Sequence, residues 1–156
     1  VCFANAQGVE WSYSEAVRCY RRAAEQGDSL AQRHLGKCFA NGRGVERSYS
    51  EAVTWYRLAA KQGDAQAQNN LGRCYANGRG VAQSQSEAVR LYRLAADQGN
   101  ASALCNLGLC FAEGRGVRRS YNEARRRYKE AAEQGHRRSQ RNLDNLERCL
   151  ADAGRL

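Results

Sequence analysis

A 36-residue period runs through almost the whole chain and constrains what it can fold into. Gly8, Gly44, Gly80 and Gly116 recur at that step, each followed by a valine: Val9, Val45, Val81 and Val117. Tyr20, Tyr56, Tyr92 and Tyr128 form a second column, and Ala23, Ala59, Ala95 and Ala131 a third. Leu35, Leu71, Leu107 and Leu143 form a fourth, and Gly27, Gly63, Gly99 and Gly135 a fifth. Self-similarity at this spacing marks stacked supersecondary units, none of which can bury its apolar face alone.

Each unit reads as two helices. In the unit that begins at Ala65, Ala67, Leu71 and Tyr75 stand at i, i+4 and i+8, one apolar face of a helix. Asn77-Gly78 supplies its left-handed C-terminal stop, and Arg79-Gly80-Val81 turns the chain. Ser84 and Glu87 form an S-x-x-E capping box that starts a second helix, as do Ser12/Glu15, Ser48/Glu51 and Ser120/Glu123. Asp28, Asp64 and Asn100 are placed to cap the first helix of the next unit. First helices are expected at about 29–41, 65–77, 101–113 and 137–152, and second helices at about 13–26, 49–62, 85–98 and 121–134. Most of the 15 glycines lie at helix ends, and there is no proline. Gly36, Gly72 and Gly108 fall inside first helices, where each costs about 1 kcal/mol relative to alanine. Repeating that cost predicts a close approach by the backbone of the neighbouring helix.

These columns resemble the Sel1-like repeats, relatives of the tetratricopeptide repeats. The family pattern A-x-A-Q-x-N-L-G-x-M-Y-x-x-G-x-G-V is similar to Ala65-Gln66-Ala67-Gln68-Asn69-Asn70-Leu71-Gly72-Arg73-Cys74-Tyr75-Ala76-Asn77-Gly78-Arg79-Gly80-Val81. The pattern E-A-x-x-W-Y-x-x-A-A is met by Glu51-Ala52-Val53-Thr54-Trp55-Tyr56-Arg57-Leu58-Ala59-Ala60. The resemblance covers about residues 1–143. It implies an all-α fold, a right-handed α-solenoid of antiparallel helix pairs, and an adaptor or scaffold that binds protein partners without activity of its own. The chain then reads as one domain, 1–156: a partial repeat 1–28, full repeats 29–64, 65–100 and 101–136, and a C-terminal capping helix in 137–156. In that last unit Asp144 replaces the glycine, Leu146 the cysteine and Glu147 the aromatic residue. The opening in mid-pattern, without Met, is read as a piece of a longer protein whose targeting sequence lies elsewhere.

Cys2, Cys38, Cys74 and Cys110 occupy the family's methionine position. A metal or disulfide ladder is one reading of that column; small buried hydrophobes is the simpler one. In disulfide-rich members of the family, cysteines late in the second helix pair with cysteines early in the first. Here those columns hold Ala60, Ala96 and Ala132, and Gln32 and Gln68, so disulfides are not expected. No C-x-x-C offers a zinc site, and neither metal nor cofactor is expected. Seven thiols without a framework favour a reducing, cytoplasmic compartment. No apolar run approaches the roughly 20 residues that span a bilayer, and no membrane role is expected.

First helices line the concave face of helical-pair solenoids, so residues offset from Leu35, Gly36 and Phe39 are expected to face a groove. These are Arg33, His34, Lys37 and Asn41, then Asn69, Asn70, Arg73 and Asn77. Asn106 and Leu109 follow, with Cys105 and Glu113 beside them, and then Arg138, Arg141 and Asn142 beside Asn145. Asparagine carries a donor and an acceptor on one side chain and can pair with a peptide backbone in either direction. Tetratricopeptide grooves use it so, and the resemblance implies a peptide clamp in the column His34, Asn70, Asn106, Asn142. The alternative is that these asparagines stabilise packing between helices. Lys37, Arg73 and Arg141 would attract carboxylates, so the expected partner is a protein or peptide of acidic character.

Two other functions compete. The chain carries net charge +9, and the stretch 115–141 holds ten basic residues against three acidic ones. A charge run on a terminal helix pair is usually a solvated face; the sharper readings are an acidic partner drawn to the C-terminal end and, behind it, a nucleic-acid-associated module, for which the stretch lacks interleaved aromatic platforms. A hydrolase is the third reading, because some cysteine-rich relatives carry a β-lactamase label. Motifs S-x-x-K, G-x-S-x-G and H-E-x-x-H are all missing, and His34 and His136 are the only histidines. The Asn-Gly-Arg-Gly-Val turns follow helices and lack the Gly-Lys-Ser/Thr of a phosphate-binding loop.

Overall fold

The computed structural model describes residues 12–154. Eight helices follow one another: α1 (Tyr13–Glu25), α2 (Ser29–Asn41), α3 (Tyr49–Lys61), α4 (Ala65–Asn77), α5 (Gln85–Asp97), α6 (Ala101–Glu113), α7 (Tyr121–Glu133) and α8 (Arg137–Ala153). No strand occurs among the described residues. Each helix packs on its neighbours in sequence, most extensively in the pairs α2/α3, α4/α5 and α6/α7. The result is the expected all-α solenoid. No helix is long and apolar enough to cross a membrane among the described residues.

The helix boundaries follow from local chemistry. Ser12, Ser48, Ser84 and Ser120 cap α1, α3, α5 and α7, accepting from the amides of Glu15, Glu51, Glu87 and Glu123. The return half of the capping box is replaced at three of them. The amides of Ser48, Ser84 and Ser120 donate instead to the carbonyls of Phe39, Tyr75 and Phe111, which ties each cap to the preceding helix. Gly42, Gly78 and Gly114 end α2, α4 and α6 with φ of 67, 64 and 72°. The second helices stop one residue earlier than expected, because Gln26, Gln62, Gln98 and Gln134 are their C-caps and the glycine follows. His136 caps α8 through Nδ1, 3.3 Å from the Ser139 amide, so a structural task occupies this imidazole.

The core explains the mid-helix glycines. A Cβ on Gly72 would lie 2.7 Å from Cε1 of Tyr92 and 3.3 Å from the carbonyl oxygen of Ala88. Gly36 and Gly108 meet Tyr56 and Tyr128 in the same way. The close approach is therefore that of a buried tyrosine ring, seated where a side chain is missing. Leu35, Leu71 and Leu107 are buried beside it, as are Ala52, Ala88 and Ala124 on the facing helices. Cys74 and Cys110 are buried, Cys38 is half-buried, and Cys2 lies outside the described residues.

Between units the seam is partly polar. Gln32 and Gln68 are buried, and their Nε2 atoms donate to the carbonyls of Ala24 and Ala60 at 3.1 and 3.3 Å. Their Oε1 atoms accept from Gln62 and Gln98, each at 2.8 Å. Amides thus link second helix to first helix at the positions where disulfide-rich relatives are expected to carry cysteines.

Candidate functional site

An open cavity of about 360 Å³ lies between α2 and α4, with Tyr49 and Tyr56 of α3 also lining it. Six of the expected groove residues line it: Arg33, Lys37, Asn41, Asn70, Arg73 and Asn77. Lys37 and Arg73, and Asn41 and Asn77, stand at equivalent positions 36 residues apart on the two first helices, and Arg33 and Asn70 join them from neighbouring positions. Arg33 is held by Asp64, with Nε 3.0 Å from Oδ2, while Oδ1 of the same carboxylate caps α4. Asn77 turns its Nδ2 onto the Arg73 carbonyl at 2.8 Å. Lys37 and Arg73 are exposed and have no ion-pair partner among the described residues.

Sequence reasoning missed Arg79, Gln66 and the two tyrosines of this cavity. Arg79 sits in the Gly78-Arg79-Gly80 turn, which folds back on the preceding unit and places its guanidinium 5.4 Å from the Tyr49 ring centroid. Period alone identifies that turn; its fold-back contact depends on how the units stack.

The remaining expected residues divide. Asn69 does not face the groove. It is 2% exposed, and its Oδ1 accepts from Asn106 Nδ2 at 2.9 Å. Asn142 Nδ2 likewise lies 3.7 Å from Sγ of Cys105, which is 0% exposed. The reason is rotation along the helix: positions 69 and 105 turn onto the next first helix, where an apolar or fully paired side chain is required. At Asn106 and Asn142 the side-chain amide is thus engaged between helices, and of the asparagine column only Asn70 lines the cavity. His34 stacks on Tyr20, with centroids 5.1 Å apart, and borders a smaller recess between α1 and α2. Burial, then the charges of Arg33 and Lys37, hold its imidazole below the ordinary histidine value. Leu109 is half-buried, and Arg138 and Arg141 are exposed on α8.

This division predicts opposite behaviour for two asparagines. Asn106→Ala strands the buried Asn69 carbonyl oxygen and is expected to cost about 1–3 kcal/mol in urea unfolding. Asn70→Ala is expected to stay within about 0.5 kcal/mol of the parent chain. Equal losses would place Asn70 in the packing seam as well.

The cavity offers amide groups and guanidinium and ammonium cations for hydrogen bonding and charge pairing. Burial pushes the thiols of Cys38, Cys74 and Cys110 up, which suppresses the thiolate a nucleophile needs. Among the described residues, no cluster of three or more His, Cys, Asp or Glu is arranged to hold a metal ion.

Comparison with known proteins agrees with the fold. The Sel1 repeat family pattern matches residues 1–28, 29–64, 65–100 and 101–136. A Sel1 repeat protein from Oxalobacter formigenes superposes with a TM-score of 0.85 at 37% identity, over 94% of this chain and 57% of that one. The protein c5321, a protective antigen of uropathogenic Escherichia coli strains that displays an SLR fold, gives 0.77 at 46% identity over 79% of this chain. The aligned region is 26% of c5321, so this chain spans only part of the length of both relatives. Cysteine rich protein B of Helicobacter pylori shares the fold, with a TM-score of 0.61 at 19% identity over 83% of this chain and 92% of that one. No curated protein matches the chain. With four consecutive repeats matched over residues 1–136, the chain belongs to the Sel1 repeat family, whose members are generally protein-interaction scaffolds.

Proposed function

We propose that the chain is a scaffold that holds a peptide segment of an acidic partner in the cavity between α2 and α4. The observation that carries this is the composition of the cavity: Arg33, Lys37, Arg73 and Arg79 converge there with asparagine amides, and no carboxylate lines it. Neutral amides suit a peptide backbone, and Lys37, Arg73 and Arg79, which unlike Arg33 have no carboxylate partner among the described residues, suit its acidic side chains. Asp144 stands exposed in the column of the glycines that elsewhere receive a tyrosine, which supports reading 137–156 as a capping unit.

The test is affinity capture from the native host, followed by mapping of the bound segment. Lys37→Ala/Asn70→Ala/Arg73→Ala is expected to lose about tenfold or more in affinity for that segment, as removal of charge-assisted contacts should. Arg125→Ala on α7 is expected to bind as before. Undiminished binding by the triple variant removes the cavity from the account.

Nucleic acid remains the rival partner for the basic stretch 115–141, and ion pairing weighs against it. Arg125 is held by Glu147, Arg126 by Glu123 and Glu130, Arg127 by Glu130, and Arg115 by Glu113. Those guanidinium groups are already engaged by carboxylates that would compete with phosphates.

A further inference from the structure

The repeats provide an internal comparison that sharpens the ligand. At the position of Arg79 the next unit has Arg115, and at the position of Asn77 it has Glu113. Glu113 bonds Arg115 and cancels its charge. At the position of Arg73 the next unit has Leu109. The α6 unit thus neutralises or deletes both of the cations that the α4 unit leaves open.

In the cavity, Asp64 answers Arg33 alone. Lys37, Arg73 and Arg79 remain without a carboxylate among the described residues. Three open cations around a recess of about 360 Å³ are poorly matched by one carboxylate, which supplies a single charge. A phosphomonoester supplies about −1.5 to −2 at neutral pH and three acceptor oxygens. Its oxygens can take a forked guanidinium and an ammonium together, while Asn70 offers a neutral donor at the side.

We propose that the α2/α4 cavity binds a phosphorylated side chain of the held peptide through Lys37, Arg73 and Arg79. This rests on the peptide-groove reading above and adds the chemical class of the ligand. The cavity would then favour the modified form of a segment over the unmodified one.

The probes are the peptide acetyl-Gly-Gly-phosphoserine-Gly-Gly-amide, its glutamate counterpart and inorganic phosphate. Each is titrated into the full chain at low salt and followed by the side-chain amide signals of Asn41, Asn70 and Asn77. The phosphoserine peptide is expected to move these signals and to bind about tenfold more tightly than the glutamate peptide. Lys37→Gln/Arg73→Gln is expected to weaken it about tenfold or more, and Arg125→Gln to change it less than twofold. Lowering pH from 7.5 to 5.5 is expected to weaken it further, since the second phosphate proton returns near pH 6.

Equal binding of the glutamate peptide overturns the phosphate proposal and leaves the groove reading standing. Inorganic phosphate binding as tightly as the phosphopeptide overturns the peptide as its source. Shifts confined to α7 and α8, with Asn70 unmoved by any probe, overturn both.

Discussion

Gly80→Ala is expected to destabilise the chain by about 2–5 kcal/mol, more than alanine at a positive-φ glycine with open space around it. Gly80 has φ of +70°, which costs an alanine about 1–2 kcal/mol. The larger contribution is steric. A Cβ at this position would overlap the Tyr49 carbonyl and lie 2.6 Å from the Ser50 amide nitrogen, at the start of α3. Both are backbone atoms of the preceding unit's second helix and have no rotamer by which to yield, so overpacking adds about 1–3 kcal/mol. Gly63 is the control: its φ is +91°, and a Cβ added there would meet nothing within 4 Å. Gly63→Ala should therefore show only the conformational cost of about 1–2 kcal/mol. Because the contact of Gly80 joins two units, its loss should also weaken nearest-neighbour coupling, so that urea unfolding of Gly80→Ala broadens or separates into two steps. Equal stabilities for the two variants, measured by chemical unfolding, would mean the turn does not bear on the preceding unit.

Gly44 and Gly116 repeat this arrangement on Tyr13 and Gln85, which explains why the turn glycine recurs at a fixed step. Its partner lies one unit back, at a separation no local rule connects. The same boundary separates what was readable in the sequence from what was not. Caps, stops and apolar columns are decided within a few residues, and helices α2, α4 and α6 begin and end where those signals place them. The replaced half of the capping boxes could not be read, because the competing acceptor is a carbonyl nine residues earlier, on another helix. Asn69 and Asn70 are adjacent on α4, and helical periodicity separates them by only about 100°. Which of them is buried depends on where α6 passes, and the hydrogen bond from Asn106 decides it for Asn69. Lys37 and Arg73 were visible as candidates because they repeat in register; Arg79 joins them only because its turn folds toward Tyr49.

Alkaline pH should unfold this protein well before it damages an ordinary helical domain, through the residues that fill the glycine notches. Burial is the main cause that pushes the Tyr128 phenol from its ordinary 10 to about 12, with the Cys105 thiol and the Glu113 carboxylate adding to it and Arg138 opposing it. Burial likewise pushes the Cys110 thiol from 9 to about 11, against the pull of Arg115. Tyr56 and Tyr92 are raised as well, by burial first and then by neighbouring cysteines. A group whose folded pKa is raised holds its proton more tightly in the native state. The stabilisation is complete below the unfolded value and is lost as pH climbs through the folded one. The window therefore opens near pH 9 for the thiol and near pH 10 for the phenol, and closes at about 11 and 12 respectively. Tyr128 and Cys110 are 3% and 5% exposed, so solvent screening removes little. Together they should cost about 4–5 kcal/mol between pH 8 and 11.5, at roughly 1.4 kcal/mol per pH unit for each group within its window. That is comparable with the whole stability of many domains. Urea midpoints measured across this range should fall steeply, and tyrosinate absorbance from the three buried rings should rise together with loss of helix. Tyr128→Phe keeps the ring against Gly108 and removes the proton, so its midpoint should fall less steeply above pH 10. A midpoint that holds constant to pH 11, or a Tyr128→Phe variant that follows the parent curve, would show that these tyrosines ionise in place and that their seats are open to water.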